Sequence, residues 1–535
     1  MKQLLSVLLA VLLSVAFFCC GNEKSDNDGN YDNNPIPTLT QIAPAQANSG
    51  SPAFTMTLTG TGFISSSKVI FNEAEKTTTY VSAAQLTAQI DSADITSVTL
   101  KLAAPHNIED KTVPVLVRNP SPGGGDSNTV NFKIITEDSI SFTTPVVINS
   151  TKPNSTIPRI ARDSKGTLYV VWRSTDEAKN SMDYFFSKSE NAGTSWASLQ
   201  RIANEKYDYG GMGASDLIVD GSDYLHFIWA EGYGWKWYPL DYVLYRRLPA
   251  GGSWTAEKEL TDGEPCNENH VRPIIAAYNN VLMAIWEHKF NYDNDFSLSL
   301  NGGASWTTAT SLKHSFPYYW DEYCPQAVYD KNGKLHLVFT GGKIQNYLDA
   351  FGVFYCNSSD NGSTWTNPIQ ISASLNGNIE YYGLRPYIAC DPTGQKIVVS
   401  YTLSMYMLKY TYKYRSVQSV NGGATWTERQ TLHELKYTSN FRDWIQQSLV
   451  IDNSGNFHIF FYDEVDNADS TTNELYHIRS KDNGRTWSKK QKISTQDAKN
   501  PFAIAGSNGK LYVTWERRVK KGDNYESYPV FCKSK

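Results

Sequence analysis

Charge is scarce in this 535-residue chain: Asp, Glu, Lys and Arg together make up 19%, against roughly 25% in an ordinary soluble domain. The signs nearly cancel, with Lys and Arg at 49, Asp and Glu at 54, and a net charge of −5. The broad basic face that holds a nucleic-acid backbone is therefore missing, and no nucleic-acid partner is expected. Cysteine is also rare, 7 in all. None is spaced as CxxC or grouped with His at zinc-ligand spacing, so no metal site of that type and no cofactor are expected. Cys324, Cys356, Cys390 and Cys532 sit in apolar runs, where a thiol is a small hydrophobe. Cys266 sits in a loop, and its pairing with Cys324 stays open. The one long apolar run, Leu4 to Phe18, is too short to span a bilayer.

Aromatic residues are plentiful instead, at 13%, with 14 Trp, 33 Tyr and 22 Phe. The 36 Gly and 22 Pro are spread along the chain, which suits many short strands and turns. The length allows about three or four domains, or one large repeat domain with attachments.

Lys2, the apolar run and Cys19-Cys20-Gly21-Asn22 resemble a bacterial lipoprotein signal. The resemblance implies cleavage after Cys19 and a lipid on Cys20. The polar, acidic stretch from Asn22 to Asp28 is similar to the tethers of surface lipoproteins in Bacteroidetes-like bacteria. Residues 1–19 are then a signal peptide and 20–35 a tether. The protein is expected to be lipid-anchored to the outer membrane, at the cell surface or outside it. Plain secretion after a nearby cut is the alternative.

Residues 36–136 read as a small β domain. Alternating stretches such as Phe54–Leu58 and Val113–Val117 are separated by turns at Gly60–Gly62 and Ser121–Gly125. The opening from Pro37 to Pro44, the element Leu58-Thr-Gly-Thr-Gly-Phe63 and the closing Val130–Ile134 resemble an IPT/TIG immunoglobulin-like domain. Such a domain implies a spacer more than an activity.

From residue 138 to 535 the sequence repeats. The pattern Ser-x-Asn/Asp-x-Gly-x-Ser/Thr-Trp begins at Ser189, Ser299, Ser358, Ser419 and Ser480, with a degenerate copy, Gly251-Gly-Ser-Trp254. The tryptophans fall at 196, 254, 306, 365, 426 and 487, a spacing of roughly 50–60 residues that suits four-stranded propeller blades. The octapeptide resembles the Asp-box, or BNR repeat, of the sialidase superfamily. Its residues suit a tight turn between outer strands: the Asn or Asp oxygen caps amides, Gly takes a positive φ, and Trp packs between sheets. These boxes are therefore expected to be structural.

Seven second strands can be read, at Leu168–Trp172, Leu225–Trp229, Val281–Trp286, Leu335–Phe339, Ile397–Tyr401, Phe457–Phe461 and Leu511–Trp515. Six box tryptophans leave one sheet short of an outer strand. Phe142–Ile148 matches Trp365–Ile371, the strand after a box, so residues 140–148 are expected to complete the last sheet. The expected fold is all-β: an immunoglobulin-like sandwich followed by a seven-bladed β-propeller of sialidase type. Sialidases have six blades and an arginine triad, the first arginine lying in Phe/Tyr-Arg-Ile-Pro. Here the stretch is Ser155-Thr156-Ile157-Pro158, and Thr156 offers no cationic fork to a carboxylate. Exo-sialidase activity is thus the least favoured reading.

In propellers of this superfamily one rim is built from the segments entering the first strands and the loops leaving the second strands. Those positions supply Trp235, Trp237, Trp320, Arg442, Tyr381, Tyr382, Glu287, Asp463 and Glu464. Aromatic faces beside charged groups suit a sugar ring, although Tyr and Trp also plug blade ends. His226, His336 and His458 recur at one place in the second strands, which argues for packing. His270 and His288 break the repeat and are the histidine candidates for acid–base work.

Arg272 and Arg385 each precede a proline at a first strand, a slot that also holds Ile157, Cys324 and Asn500. A residue before proline is driven to an extended backbone, so the two arginines either face one central cavity and bind an anionic glycan or each pair with a local carboxylate, Glu268 or Glu380 being nearest. Three functions fit. A polysaccharide lyase would use Arg272 and Arg385 on the uronate carboxylate, with His270 or His288 and Tyr381 or Tyr382 moving protons. A glycoside hydrolase would draw two carboxyls from Glu287, Asp463 and Glu464. A non-catalytic glycan-binding lipoprotein fits equally.

Overall fold

The computed structural model describes residues 33–48, 53–95, 111–135, 140–176, 181–204, 214–235, 238–262, 271–288, 293–312, 319–343, 352–372, 385–405, 411–436, 446–467, 470–494, 496–522 and 524–535. They form strands and turns, with a single-turn 3-10 helix at Ser92–Ile95, and fall into two compact units.

The smaller unit holds two sheets. One is ordered Thr38–Ala43, Phe54–Thr61, Gln85–Ile90, Thr78–Ser82. The other runs from Lys111–Asn119 to Lys68–Phe71 and Ala74–Lys76. Alternation places Met56 and Leu58, and Val113, Val115 and Val117, inside, because successive side chains of a strand point to opposite faces.

The larger unit holds seven four-stranded antiparallel sheets. Sheet 1 is Ser155–Arg162, Leu168–Asp176, Ser181–Ser189, Gln200–Asn204, and sheet 2 is Ser215–Val219, Leu225–Trp235, Tyr238–Leu248, Lys258–Glu259. Sheet 3 is Ile274–Tyr278, Val281–His288, Asp293–Ser299, Thr310–Ser311, and sheet 4 is Tyr319–Tyr329, Leu335–Lys343, Gly352–Ser358, Ile369–Gln370. Sheet 5 is Tyr387–Cys390, Ile397–Met405, Thr411–Ser419, Gln430–Lys436, and sheet 6 is Gln447–Ile451, Phe457–Asn467, Ser470–Ser480, Gln491–Ser494. Sheet 7 is Ala498–Ala505, Leu511–Lys521, Asn524–Lys533 and, from far upstream, Val146–Val147.

Each second strand is apolar on both faces because it serves two cores. Leu168, Val170 and Trp172 of sheet 1 pack with Tyr512 and Phe531 of sheet 7. Val171 instead joins Phe227 and Trp229 of sheet 2. Shared cores continue between sheets 2 and 3, 3 and 4, 4 and 5, 5 and 6, and 6 and 7. The first strands also lie side by side in cyclic order, Ser155–Arg162 touching both Ser215–Val219 and Ala498–Ala505.

The upstream segment completes sheet 7 as expected. Val146 stands opposite Phe531 and Val147 opposite Val530, and Phe142 bridges Ser534. Thr143 donates its N–H to Lys533 O at 2.8 Å. The Gln491 carboxamide of sheet 6 holds Ile140 by both its N–H (3.0 Å) and its carbonyl (2.7 Å).

The octapeptides join third and fourth strands with one bonding scheme. In the first, Ser189 Oγ accepts the Gly193 N–H at 2.9 Å, Asn191 Oδ1 accepts the Ser195 N–H at 2.9 Å, and Asn191 Nδ2 donates to Ser195 Oγ at 2.7 Å. The copy at Ser480 repeats it with Asp482, which accepts from Thr486 N and Oγ1 at 2.9 and 2.6 Å. Each central glycine is left-handed, φ 76° at Gly303 and 85° at Gly423, a region costly for residues with a Cβ. The Trp packs on the preceding sheet, as Trp306 does on Tyr245 and Trp426 on Tyr355, at 4.9 and 4.8 Å.

The recurrent second-strand histidines are packing residues. His226, His336 and His458 are fully buried. His226 Nδ1 meets the Tyr245 hydroxyl at 2.7 Å and its Nε2 faces Asp220 at 3.2 Å. His336 repeats this with Tyr355 and Asp330, and His458 with His477 and Asp452.

One expectation needs correction, and one question that the sequence left open is answered. Ile157, Cys324 and Asn500 are not extended before proline: their φ angles are 52°, 50° and 51°. Each sits where the register of the first strand slips, between Thr156 and Arg159, Tyr323 and Gln326, and Lys499 and Phe502. A bulge absorbs one extra residue by turning it left-handed, and that demand overrides the pre-proline bias. Cys324 is a free thiol, not half of a disulfide.

Candidate functional site

Pairing register sorts the first strands into levels. Pro158, Pro273, Pro325, Pro386 and Pro501 stand abreast of the second-strand aromatics Trp172, Trp286, Phe339, Tyr401 and Trp515. Ser215 and Gln447 occupy that level opposite Trp229 and Phe461. One residue earlier come Arg272, Cys324 and Arg385; one residue later come Arg159, Asp216 and Tyr387. All seven first strands and the residues entering them enclose a cavity of about 290 Å³, lined by Arg159, Arg272 and Arg385 together.

Sheets 1, 3 and 5 thus each send one guanidinium to the same space. Burial pushes Arg385 down to about 10, with the like charge of Arg272 adding to it, so it stays charged at neutral pH. Burial also works against Arg272, but Cys324 and Glu287 outweigh it and hold its pKa above the usual value. Arg272 Nη1 donates to Cys324 Sγ at 3.2 Å. Burial lowers Arg159, partly offset by Asp216. Its Nε donates to Ser215 O at 2.9 Å and its guanidinium lies 4.8 Å from the Phe502 ring centre. Asp216, raised by burial, is the one carboxylate of the lining among the described residues. It accepts the Ile275 and Leu217 N–H groups at 3.0 and 2.9 Å. Three cations against one carboxylate give the lining a positive balance.

The structure therefore brings Arg272 and Arg385 together. Glu287 sits just behind them: its Oε1 accepts the Cys324 N–H at 2.6 Å across the seam between sheets 3 and 4. Asp463 does not reach the cavity. Its Oδ2 is held by His433 Nε2 at 2.7 Å and Lys490 Nζ at 2.6 Å, in the gap between sheets 5 and 6. His288, Trp235 and Trp320 lie on strands, opposite Asp293, Tyr238 and Gly342. His270, Tyr381, Tyr382, Trp237, Arg442 and Cys20 lie outside the described residues. Among the described residues no group of three His, Cys, Asp or Glu gathers as a metal site.

Sequence reasoning missed Arg159, Asp216 and Gln447, all in the lining; Glu516, which the sequence places at the exit of a second strand, is buried. Burial lifts Glu516 to about 7, against the pull of the Asn500 carboxamide that donates to it at 2.8 Å. Stacking the seven first strands by register exposes the first three; a single strand does not.

Residues 37–134 match the family model of the IPT/TIG domain, and residues 295–514 match that of the BNR repeat-like domain. The chain thus carries an IPT/TIG domain followed by BNR repeats on an all-β framework. Among solved structures it is similar to a protein of unknown function from Dyadobacter fermentans, at 12% identity and TM-score 0.43, covering 74% of this chain and 100% of that one. It is also similar to the NanB sialidase of Streptococcus pneumoniae (13%, TM-score 0.39, covering 80% and 82%). The α-L-arabinofuranosidase Arb93A of Fusarium graminearum is a third (12%, TM-score 0.39, 73% and 97%). No curated protein matches the chain significantly.

Proposed function

We propose that the larger unit is a seven-bladed β-propeller that takes an acidic polysaccharide or glycan into its axial cavity and acts in glycan breakdown. The seven shared cores, the last between sheets 7 and 1, support the blade count. The convergence of Arg159, Arg272 and Arg385 on one cavity carries the ligand class. Guanidinium forks bind carboxylates bidentately, and the exclusion of water strengthens each bond. Of the cleavage reactions, elimination at a uronate is supported better than two-carboxyl hydrolysis. The lining offers cations to a carboxylate, whereas Asp463 and Glu287 are held by neighbouring groups. Non-catalytic glycan binding is the second reading, supported by the same three arginines. A lipid on Cys20 would hold the molecule at the outer membrane with the IPT/TIG domain as a spacer; that part rests on the sequence.

Incubation with a panel of acidic and neutral glycans, followed by chromatography, tests the proposal. Unsaturated products establish a lyase, saturated fragments a hydrolase, and retention without cleavage a binder. Arg272→Ala or Arg385→Ala should weaken binding of the acidic glycan by about 1.5–3 kcal/mol, the worth of a charge-assisted bond, with little change in Tm. Binding confined to neutral glycans overturns it.

A further inference from the structure

Five of the seven first strands carry proline at the level of the second-strand aromatics; sheets 2 and 6 carry Ser215 and Gln447 there instead. Both line the cavity, and both are buried, Gln447 to 1% exposure and Ser215 to 4%. Among the described residues neither the Oε1 nor the Nε2 of Gln447 has a hydrogen-bond partner, and neither does Ser215 Oγ. A buried carboxamide with nothing bonded to it destabilises a protein, since its lost hydration is not replaced. The flanking levels behave otherwise. Ser448 Oγ accepts the Ala503 N–H at 2.9 Å, and Asp216 is bonded to two backbone amides. At the proline level itself, the open groups belong to the two residues that replace proline.

We propose that Gln447, assisted by Ser215, is a ligand-binding residue that reads the neutral hydroxyl edge of the sugar whose anionic group sits on Arg272 and Arg385. The proposal rests on the anionic-glycan reading above. A carboxamide presents one acceptor and two donors, and a sugar hydroxyl both gives and takes a hydrogen bond. Gln447 and Arg385 line the same cavity from neighbouring sheets, one level apart. The arginines then supply attraction to any anion, and the amide discriminates a sugar acid from a bare one. A ligand lacking the hydroxyl leaves the amide unpaired, and sites of that kind reject such analogues strongly.

The test uses the full chain and two probes, tetragalacturonate and inorganic sulfate, titrated by calorimetry. Gln447→Leu should lower tetragalacturonate affinity by about tenfold, the upper range of one neutral hydrogen bond. Sulfate affinity should stay within about twofold, and Tm should rise, because the unbonded amide is gone. Arg385→Ala should weaken both probes. Unchanged tetragalacturonate affinity in Gln447→Leu, with a loss in Arg385→Ala, overturns the amide assignment and leaves the anionic reading standing. Equal losses for both probes in Gln447→Leu, or a fall in its Tm, also overturn it. Unchanged affinities in Arg385→Ala overturn the anionic-glycan reading itself.

Discussion

Glu287 of sheet 3 accepts the backbone N–H of Cys324 of sheet 4 at 2.6 Å, and Cys324 holds a left-handed backbone there, φ 50°. The same thiol accepts from Arg272, so one carboxylate fixes both the bulge and an edge of the cavity. Glu287→Gln keeps an acceptor for the N–H; Glu287→Ala does not. The alanine variant should lose about 1–3 kcal/mol, the cost of a buried unpaired donor, and the glutamine variant much less. Denaturant midpoints of the two variants check this. Equal losses would mean that the charge, not the hydrogen bond, holds the bulge.

The box glycines give a graded prediction. A Cβ on Gly303 would run into the Tyr245 hydroxyl of the neighbouring sheet, and the backbone there has φ 76°. Gly303→Ala should therefore cost about 2–4 kcal/mol, from left-handed strain plus overpacking. Gly251, in the degenerate copy, is equally left-handed but has nothing within 4 Å of its Cβ position. Gly251→Ala should cost only the strain, about 1–2 kcal/mol. Thermal unfolding of the two variants should rank them in that order.

Glu516 should give stability an unusual dependence on alkali. Its pKa is about 7 in the folded protein and near 4.3 in an unfolded chain, so folding favours the protonated acid. That contribution is complete below about pH 4 and fades as pH rises through 7, amounting to about 3–4 kcal/mol by linkage. Glu516→Gln should flatten this limb and be the more stable protein at pH 8. Chemical denaturation from pH 4 to 8 measures it.

The buried His477 should act in the opposite direction. Burial holds His477 neutral, well below 6.5, and its Nε2 lies 3.0 Å from His458 Nδ1. Below pH 6.5 the unfolded chain takes up a proton that the folded protein refuses, so stability falls by up to about 1.4 kcal/mol per pH unit. His336, lowered to about 4 by burial, adds to the same acid loss. His477→Gln, which retains a hydrogen-bonding group for His458, should reduce the slope between pH 6.5 and 5.

The segment that closes sheet 7 allows a comparison of chains shortened from the front. Loss of residues 1–135 leaves the Phe142–Val147 contacts in place; loss of 1–150 removes them and exposes the edge strand Asn524–Lys533. An exposed edge invites pairing between molecules. The first chain should be monomeric in sedimentation and the second should aggregate or unfold with poor cooperativity.

Much of this architecture is legible in the sequence because repetition averages out local ambiguity. Five copies of one turn, with bonds such as Ser189–Gly193 and Ser480–Gly484, give the sheet spacing that a single turn cannot. Arg272 and Arg385 could be placed at the cavity because proline marks their level. The bulges at Ile157 and Cys324 were not legible, since a register slip depends on two strands while the pre-proline rule concerns one. Asp463 misleads for a similar reason: its position on the second strand is right for the rim, but His433 on another sheet draws it sideways. Gln447 is an ordinary residue in an ordinary strand until seven strands are laid over one another.

The Thr143–Lys533 contact joins positions 390 apart in the chain. A ribosome releases Thr143 long before Lys533 exists, so six of the seven sheets must be synthesised before sheet 7 can be completed. Pairing this segment therefore has to bring together residues from opposite ends of the larger unit, at a large chain-entropy cost. A premature stop within Asn524–Lys533 would leave nearly all the residues present and sheet 7 without the partner of Val146–Val147, with the quality-control fate of an unfinished chain.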